Sequence, residues 1–405
     1  MADNLSRWKK FIFALLIVLI FFGVPELVLR LRDWGFYYNF SADILGMPLV
    51  DLTRFRRIAN RTVEFDREVF WKFKPNQILD KKGIYRKPVR INNYGFRGKD
   101  FQIAKPAGRF RIICLGDSVT FGWSVGDDET YPFQLEKILK KEYPHCDIEI
   151  INLGITGYTS FQGKNLFLKF GKKLKPDVVI FAFGPNDRYP ALLSDKEHYL
   201  YHTWEKSKID IFLSRLQIYK LLKSGVIYLM RRAQGLSLNP KTFFPKLKRK
   251  VSAEEYERNF ATIWQECQKI GCELVLLNVD FPSLPKDPVQ KSLKELAEKT
   301  GAELSSQFKK EWDLIESNQK LARTYNVPFI DLRKLFLKHL EKMAQKRKLK
   351  INPLQPLSQE LWQYLMIDNG HPNERGHFLI AREIARVLEE SKKFQELLEK
   401  CQKKR

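Results

Sequence analysis

Three short apolar runs limit this chain more than any other feature. Residues 110–115 (FRIICL), 178–183 (VVIFAF) and 273–278 (ELVLLN) have the length of strands, and the middle one carries apolar side chains on both faces. A strand buried on both faces belongs in a parallel sheet covered by helices, because a half-solvated antiparallel sheet would alternate apolar and polar. Residues 148–153 and 328–330 supply two further strand candidates. Helical stretches fall between them, at 131–143, 161–170, 256–270, 293–302 and 314–325, with a long terminal helix at 378–400. This alternation predicts an α/β domain over residues 108–400, a three-layer α/β/α architecture around a parallel sheet of about five strands.

The amino terminus obeys a different rule. Residues 11–25 (FIFALLIVLIFFGVP) carry no charge, and the apolar stretch continues to Leu29 with Glu26 as its one interruption. Those 19 residues reach about 28 Å as a helix, close to the thickness of a bilayer's hydrocarbon core. Arg7, Lys9 and Lys10 precede the stretch, and Arg30 and Arg32 follow it. A cleaved secretory signal would be shorter and end in small residues; this one ends in PELVLRL. The expectation is an uncleaved signal anchor at residues 1–32, a membrane-proximal lead-in at 33–107, and a catalytic domain outside the cytoplasm, periplasmic or at the cell surface. The alternatives are a cleaved signal and a buried core helix. A single such segment excludes a polytopic transporter.

Lysine and arginine total 71 against 47 acidic residues, a net charge of +24. That balance attracts anions, including lipid headgroups, an acidic envelope polymer and nucleic acid. No zinc-finger, helix-turn-helix or basic-zipper pattern accompanies it, so no specific nucleic-acid recognition is expected. The five cysteines, Cys114, Cys146, Cys267, Cys272 and Cys401, match neither a disulfide framework nor a metal knuckle. Cys267 and Cys272 could pair or simply fill the core. The histidines do not cluster with metal spacing: His198 and His202 are four apart but lack the glutamate of a zinc-protease helix. Neither metal nor cofactor is expected.

Open parallel sheets bind ligands beyond the carboxyl ends of their strands. Chemistry-bearing fragments stand at three such places: Gly116-Asp117-Ser118, Asn152 to Gly157, and Gly184-Pro185-Asn186-Asp187. Asp368-Asn369-Gly370-His371-Pro372 comes near the carboxyl terminus. Serine needs a base to become a nucleophile, and histidine is the natural base near neutral pH. An aspartate three residues before that histidine can orient its ring from the same turn. The backbone N–H groups of Ser118 and Gly157 and the amide of Asn186 can stabilise an oxyanion. Asp117 and Asp187 are read as loop ties. Asp280 is read as a loop cap or a substrate contact, and Arg188 as either an anion contact or half of an ion pair.

In that order and at those places the fragments resemble the SGNH, or GDSL, hydrolases, a family of esterases and lipases, over roughly residues 108–395. The resemblance implies a flavodoxin-like fold with Ser118 as nucleophile, Asp368 and His371 as its partners, and Gly157 and Asn186 as oxyanion donors. Gly154 is a second glycine candidate. Asn93-Tyr94-Gly95-Phe96-Arg97-Gly98 also resembles the lead-in of membrane-anchored members. The elbow Gly-x-Ser-x-Gly of α/β-hydrolases is missing. The implied activity is carboxylic ester hydrolysis on an acylated envelope glycan or lipid. O-acyl transfer to a polysaccharide and an idle glycan-binding protein stay open beside it. Residues 188–250 interrupt the alternation, and are expected to be an insertion or lid, or plain packing against the domain.

Overall fold

The computed structural model describes residues 7–31, 62–79 except 67, 86–191, 194–201, a few positions between 213 and 222, 248–281, 312–346, and 359–402 except 369. The chain divides into two compact units, Met1–Arg61 with Leu200–Phe244 and Thr62–Tyr199 with Pro245–Arg405. Most of the expected insertion and the helix expected at 293–302 lie outside the described residues.

In the first unit, Arg7–Leu31 is a helix of 25 residues (α1), apolar and long enough to cross a membrane. It passes through a short π-helical turn at Leu19–Gly23, and nearly all its apolar side chains are exposed. Such a helix serves as a membrane anchor or as a signal sequence.

The second unit holds a five-stranded sheet, all of its pairs parallel. The strands are β5 (Arg109–Gly116), β6 (Asp147–Asn152), β7 (Val178–Ala182), β10 (Glu273–Asn278) and β11 (Phe329–Asp331), in the order β11-β10-β7-β5-β6. The chain leaves β5 for β6 on one side, then crosses to β7 on the other. That reversal opens a crevice at the carboxyl end of β5. β7 and β10 are buried along their whole length, as their apolar character requires. Each large apolar side chain so buried stabilises the fold by roughly 1.5–3 kcal/mol before entropy is set against it.

Helices α2 (Ser118–Phe121), α3 (Tyr131–Glu142), α4 (Ser160–Lys169) and α5 (Asp195–Tyr201) come from the first half of this unit. The second half contributes α6 (Ala253–Ile270), α7 (Leu314–Tyr325), α8 (Leu332–Lys346), α9 (Gln359–Gln363), α10 (Glu374–Glu390) and α11 (Lys392–Gln402). The helix α8 is unassigned in the sequence reading, although Leu332, Phe336, Leu340 and Met343 form its buried stripe. The single terminal helix expected at 378–400 is two helices. Ser391 breaks it: at φ −81°, ψ 116° it leaves the helical region. Its hydroxyl donates to Glu273 at the start of β10 and accepts the N–H of Phe394 at 3.2 Å, which caps α11. Cys267 and Cys272 are buried free thiols.

From Thr62 onward the lead-in belongs to this same unit. β1 (Val63–Asp66) and β2 (Phe70–Phe73) pair antiparallel, as do β3 (Gln77–Leu79) and β4 (Val89–Ile91) and, later in the chain, the short β8 (Pro190–Ala191) and β9 (Lys248–Arg249). Within β5, Arg111 is fully buried. It donates to Glu149 (2.6 Å) and to the carbonyls of Gln102, Ile103 and Leu174 at 2.8–3.0 Å. An arginine stays charged inside a protein only with such a set of acceptors, so this residue welds the lead-in to the sheet.

Candidate active site

The position of Ser118, the candidate nucleophile, follows from how β5 ends. Asp117 accepts the N–H of Val119 at 2.9 Å and so caps α2, a single turn that starts at Ser118. Gly122 closes the turn in the left-handed region (φ 85°) and returns its N–H to the carbonyls of Ser118 and Val119. Ser118 therefore stands at the amino end of a helical turn, half-buried, just past the carboxyl end of β5.

His371 reaches it from far along the chain. Its Nε2 lies 2.9 Å from Ser118 Oγ, and its Nδ1 lies 2.8 and 2.9 Å from the two oxygens of Asp368. The loop bearing both residues is held by a bridge between Met366 and Pro372 and by the Ile367 N–H on the His371 carbonyl (2.8 Å). Asn373 caps α10 directly afterwards, accepting from Arg375 and Gly376. Burial pushes the Asp368 carboxyl up. The His371 hydrogen bond and charge outweigh it, with the N–H groups of Gly370 and His371, and hold the carboxyl below its ordinary value. Asp368 is thus an anion facing an imidazole, the arrangement that fixes a tautomer and stabilises an imidazolium.

Blocks from β6 and β7 meet on the other side of Ser118. Asn186 Nδ2 donates to the Tyr158 carbonyl at 3.0 Å, next to Gly157, and lies 3.3 Å from Asp117 Oδ2. One amide thereby links the loops after all three strands. Gly157 adopts φ +80°, which glycine takes without strain. Gly154 answers to a different constraint. A Cβ there would sit 2.4 Å from the Phe121 nitrogen, and its N–H already donates to Asn152 Oδ1 at 2.9 Å. Its donor is committed to the loop, whereas Gly157, beside Tyr158, is half-buried. Asn152 completes the tie by donating to the Thr120 carbonyl at 2.9 Å.

The other acidic residues singled out from the sequence are buried. Asp187 accepts from the backbone and hydroxyl of Ser160; burial, then Asp195 and Asp117, push it up to about 8. Asp117 is pushed up to about 6, again by burial, against the opposing charge of His371. Asp280 lies buried between Arg188 (3.7 Å) and Arg333 (3.6 Å), so Arg188 is half of an ion pair.

Three features escaped the sequence reading. Trp123 packs its ring on His371, centroids 5.8 Å apart. Tyr158 makes an edge contact with Trp71 (5.2 Å) and donates to that residue's carbonyl, so the lead-in supports the loop that carries Gly157. Arg97, noticed only for its motif, is buried and donates to the carbonyls of Phe121, Gly122 and Val125 and to Asp127. Asn-Tyr-Gly-Phe-Arg-Gly was a signal for it, but nothing in the sequence gave the arginine's target.

The profile of the GDSL-like lipase/acylhydrolase family matches residues 114–379, well over half of the chain, and the chain belongs to that family. It is an ester-hydrolysing serine hydrolase. No curated protein is significantly similar in sequence. Among solved structures, Axe2, an acetylxylan esterase from Geobacillus stearothermophilus, superposes with a TM-score of 0.39 at 16% identity, covering 70% of this chain and 96% of that one. LAE5, described as an alpha/beta hydrolase from the metagenome of Lake Arreo, Spain, gives 0.39 at 16% identity over 71% and 97%. The acetyl xylan esterase AlAXEase gives 0.37 at 18% identity over 68% and 98%.

Proposed function

We propose that the protein cleaves carboxylic esters through an acyl-enzyme on Ser118, acting on O-acyl groups of a cell-envelope glycan or lipid. The observation that carries the reading is the continuous contact from Ser118 Oγ through the imidazole of His371 to Asp368. As Ser118 Oγ bonds to the ester carbonyl carbon, its proton passes to His371 Nε2. The oxyanion is held by the N–H groups of Ser118 and Gly157 and the amide of Asn186. That last role asks Asn186 to give up its 3.3 Å approach to Asp117 while it keeps the Tyr158 carbonyl. When the carbonyl re-forms, the ester C–O bond breaks and His371 returns the proton to the leaving alcohol. Water, deprotonated by His371, then splits the acyl-serine into carboxylic acid and free Ser118.

The helix α1 would hold the enzyme at a membrane with the catalytic unit outside the cytoplasm, and the charge of +24 suits an anionic envelope surface. The test is hydrolysis of p-nitrophenyl acetate, butyrate and octanoate by the full chain in detergent micelles beside Ser118→Ala. Loss of at least about 10⁴-fold in kcat is expected for the variant. Equal turnover by the two proteins would remove Ser118 as nucleophile. A fluorophosphonate that labels the wild type but not the variant would separate a live nucleophile from an idle binding protein.

A further inference from the structure

His371 Nε2 must hand its proton to the departing alcohol, so the alcohol leaves within hydrogen-bond reach of that nitrogen. Whatever borders the imidazole therefore borders the alcohol. Trp123 is that neighbour: its ring lies 5.8 Å from the imidazole, centroid to centroid, tilted by 36°. It is half-buried, so part of its surface remains open to solvent.

The ring is presented from a fixed loop. Trp123 donates its N–H to the Ser118 carbonyl at 3.0 Å. Gly122 before it and Ser124 after it are both in the left-handed region, at φ 85° and φ 66°. Arg97 from the lead-in donates to the carbonyls on either side, Phe121 at 3.0 Å and Val125 at 2.7 Å, and is itself anchored on Asp127 at 2.8 Å. Phe73 of β2 stacks on Phe121 at 5.3 Å from beneath. A side chain whose loop is ordered in advance loses little entropy when a ligand meets it.

The imidazole that this ring meets is flanked by polar groups, Ser118 and Asp368. The Asp368 side chain is 46% exposed beside His371. An aromatic face beside an imidazole and its exposed carboxylate suits a ligand that is apolar on its ring faces and hydroxylated at its edges. An alkyl chain would leave those polar groups without partners.

We infer that Trp123 forms the floor of the leaving-alcohol subsite and selects a sugar ring as the alcohol. The inference rests on the esterase reading above and names the alcohol half of its substrate. The measurement holds the acyl group at acetyl and varies the alcohol: ethyl acetate, hexyl acetate and a mono-O-acetylated methyl glucopyranoside, assayed by acid release on the full chain in micelles. Trp123→Leu should lower kcat/KM for the sugar ester about tenfold more than for ethyl acetate, the difference lying chiefly in KM. Trp123→Phe should recover part of the loss, which a merely damaged loop would not do. Equal losses on the sugar ester and ethyl acetate would overturn the subsite and make Trp123 a support for His371. The largest loss on hexyl acetate would replace the sugar by an alkyl alcohol. If the wild type and Ser118→Ala were equally inactive on all three esters, the esterase reading would fall along with the subsite. Ethyl acetate turnover that depends on Ser118, without a Trp123 effect on the sugar ester, sinks the subsite alone.

Discussion

Asp368 and Asp187 are both aspartates of the motifs that build the site, and the protein treats them in opposite ways. Asp368 sits on an exposed loop, surrounded by donors: two N–H groups of its own turn and the His371 ring. Its carboxyl is held below its ordinary value. Asp187 has no exposure, accepts from the backbone N–H and the hydroxyl of Ser160, and shares its surroundings with the acids Asp117 and Asp195. It is pushed up to about 8, so near neutral pH it keeps its proton. An acid that must balance an imidazolium has to be charged when the proton arrives, which requires water and donors. An acid that ties one loop to another serves as a neutral hydrogen-bonding group, which tolerates burial. Residue type is shared between the two; environment favours the charged form of one and the neutral form of the other.

That division is tested first by removing charge at both positions while keeping shape. Asp368→Asn should lower kcat by about 10⁴-fold, since an amide facing Nδ1 favours the wrong tautomer and supplies no counter-charge. The fold should survive, because the loop is also held by the Met366–Pro372 bridge and the Asn373 cap. A steady-state assay beside a thermal melt separates the two effects. A loss below tenfold would mean that Asp368 does not orient His371 during turnover. Asn186→Ala comes next, with an expected loss of about 10²–10³-fold in kcat at nearly unchanged KM, the size seen when one oxyanion donor is removed. A rise in KM alone would reassign Asn186 to holding the Tyr158 loop in place.

The same contrast explains what could be seen in the chain beforehand. The sheet was legible because strands such as β7 and β10 are apolar on both faces, a pattern with few other uses. Ser118, His371 and Asp368 were legible because their motifs stand next to strand ends or a helix cap, where backbone geometry does the positioning. The break at Ser391 was not, since it depends on a hydroxyl reaching Glu273, more than a hundred residues away. Arg97 and Arg111 were equally opaque. Each is explained by carbonyls that only the folded chain gathers, and an arginine in a sequence reads as surface charge. Trp123 was hidden for the same reason: its partner His371 lies at the other end of the domain.

The smallest expected effect on turnover is the most specific to the comparison. The Asp187 carboxyl ionises near 3.8 in the unfolded chain and near 8 in the folded one. Between those values the folded state binds the extra proton, so this group makes the fold less stable as pH rises from about 4 to about 8. Asp368 has the opposite sign: its lowered value stabilises the fold above the unfolded pKa and is lost as pH falls. Asp187→Asn resembles the protonated acid in shape and can still accept from Ser160. It should therefore flatten the decline of Tm across that window and change kcat by less than about threefold. Circular dichroism melts of both proteins in the same micelles at several pH values, with ester turnover alongside, provide the check. A wild-type slope retained in the variant would mean that Asp187 is already ionised in the folded protein, and a collapse of kcat like that expected for Asp368→Asn would place it in the chemistry.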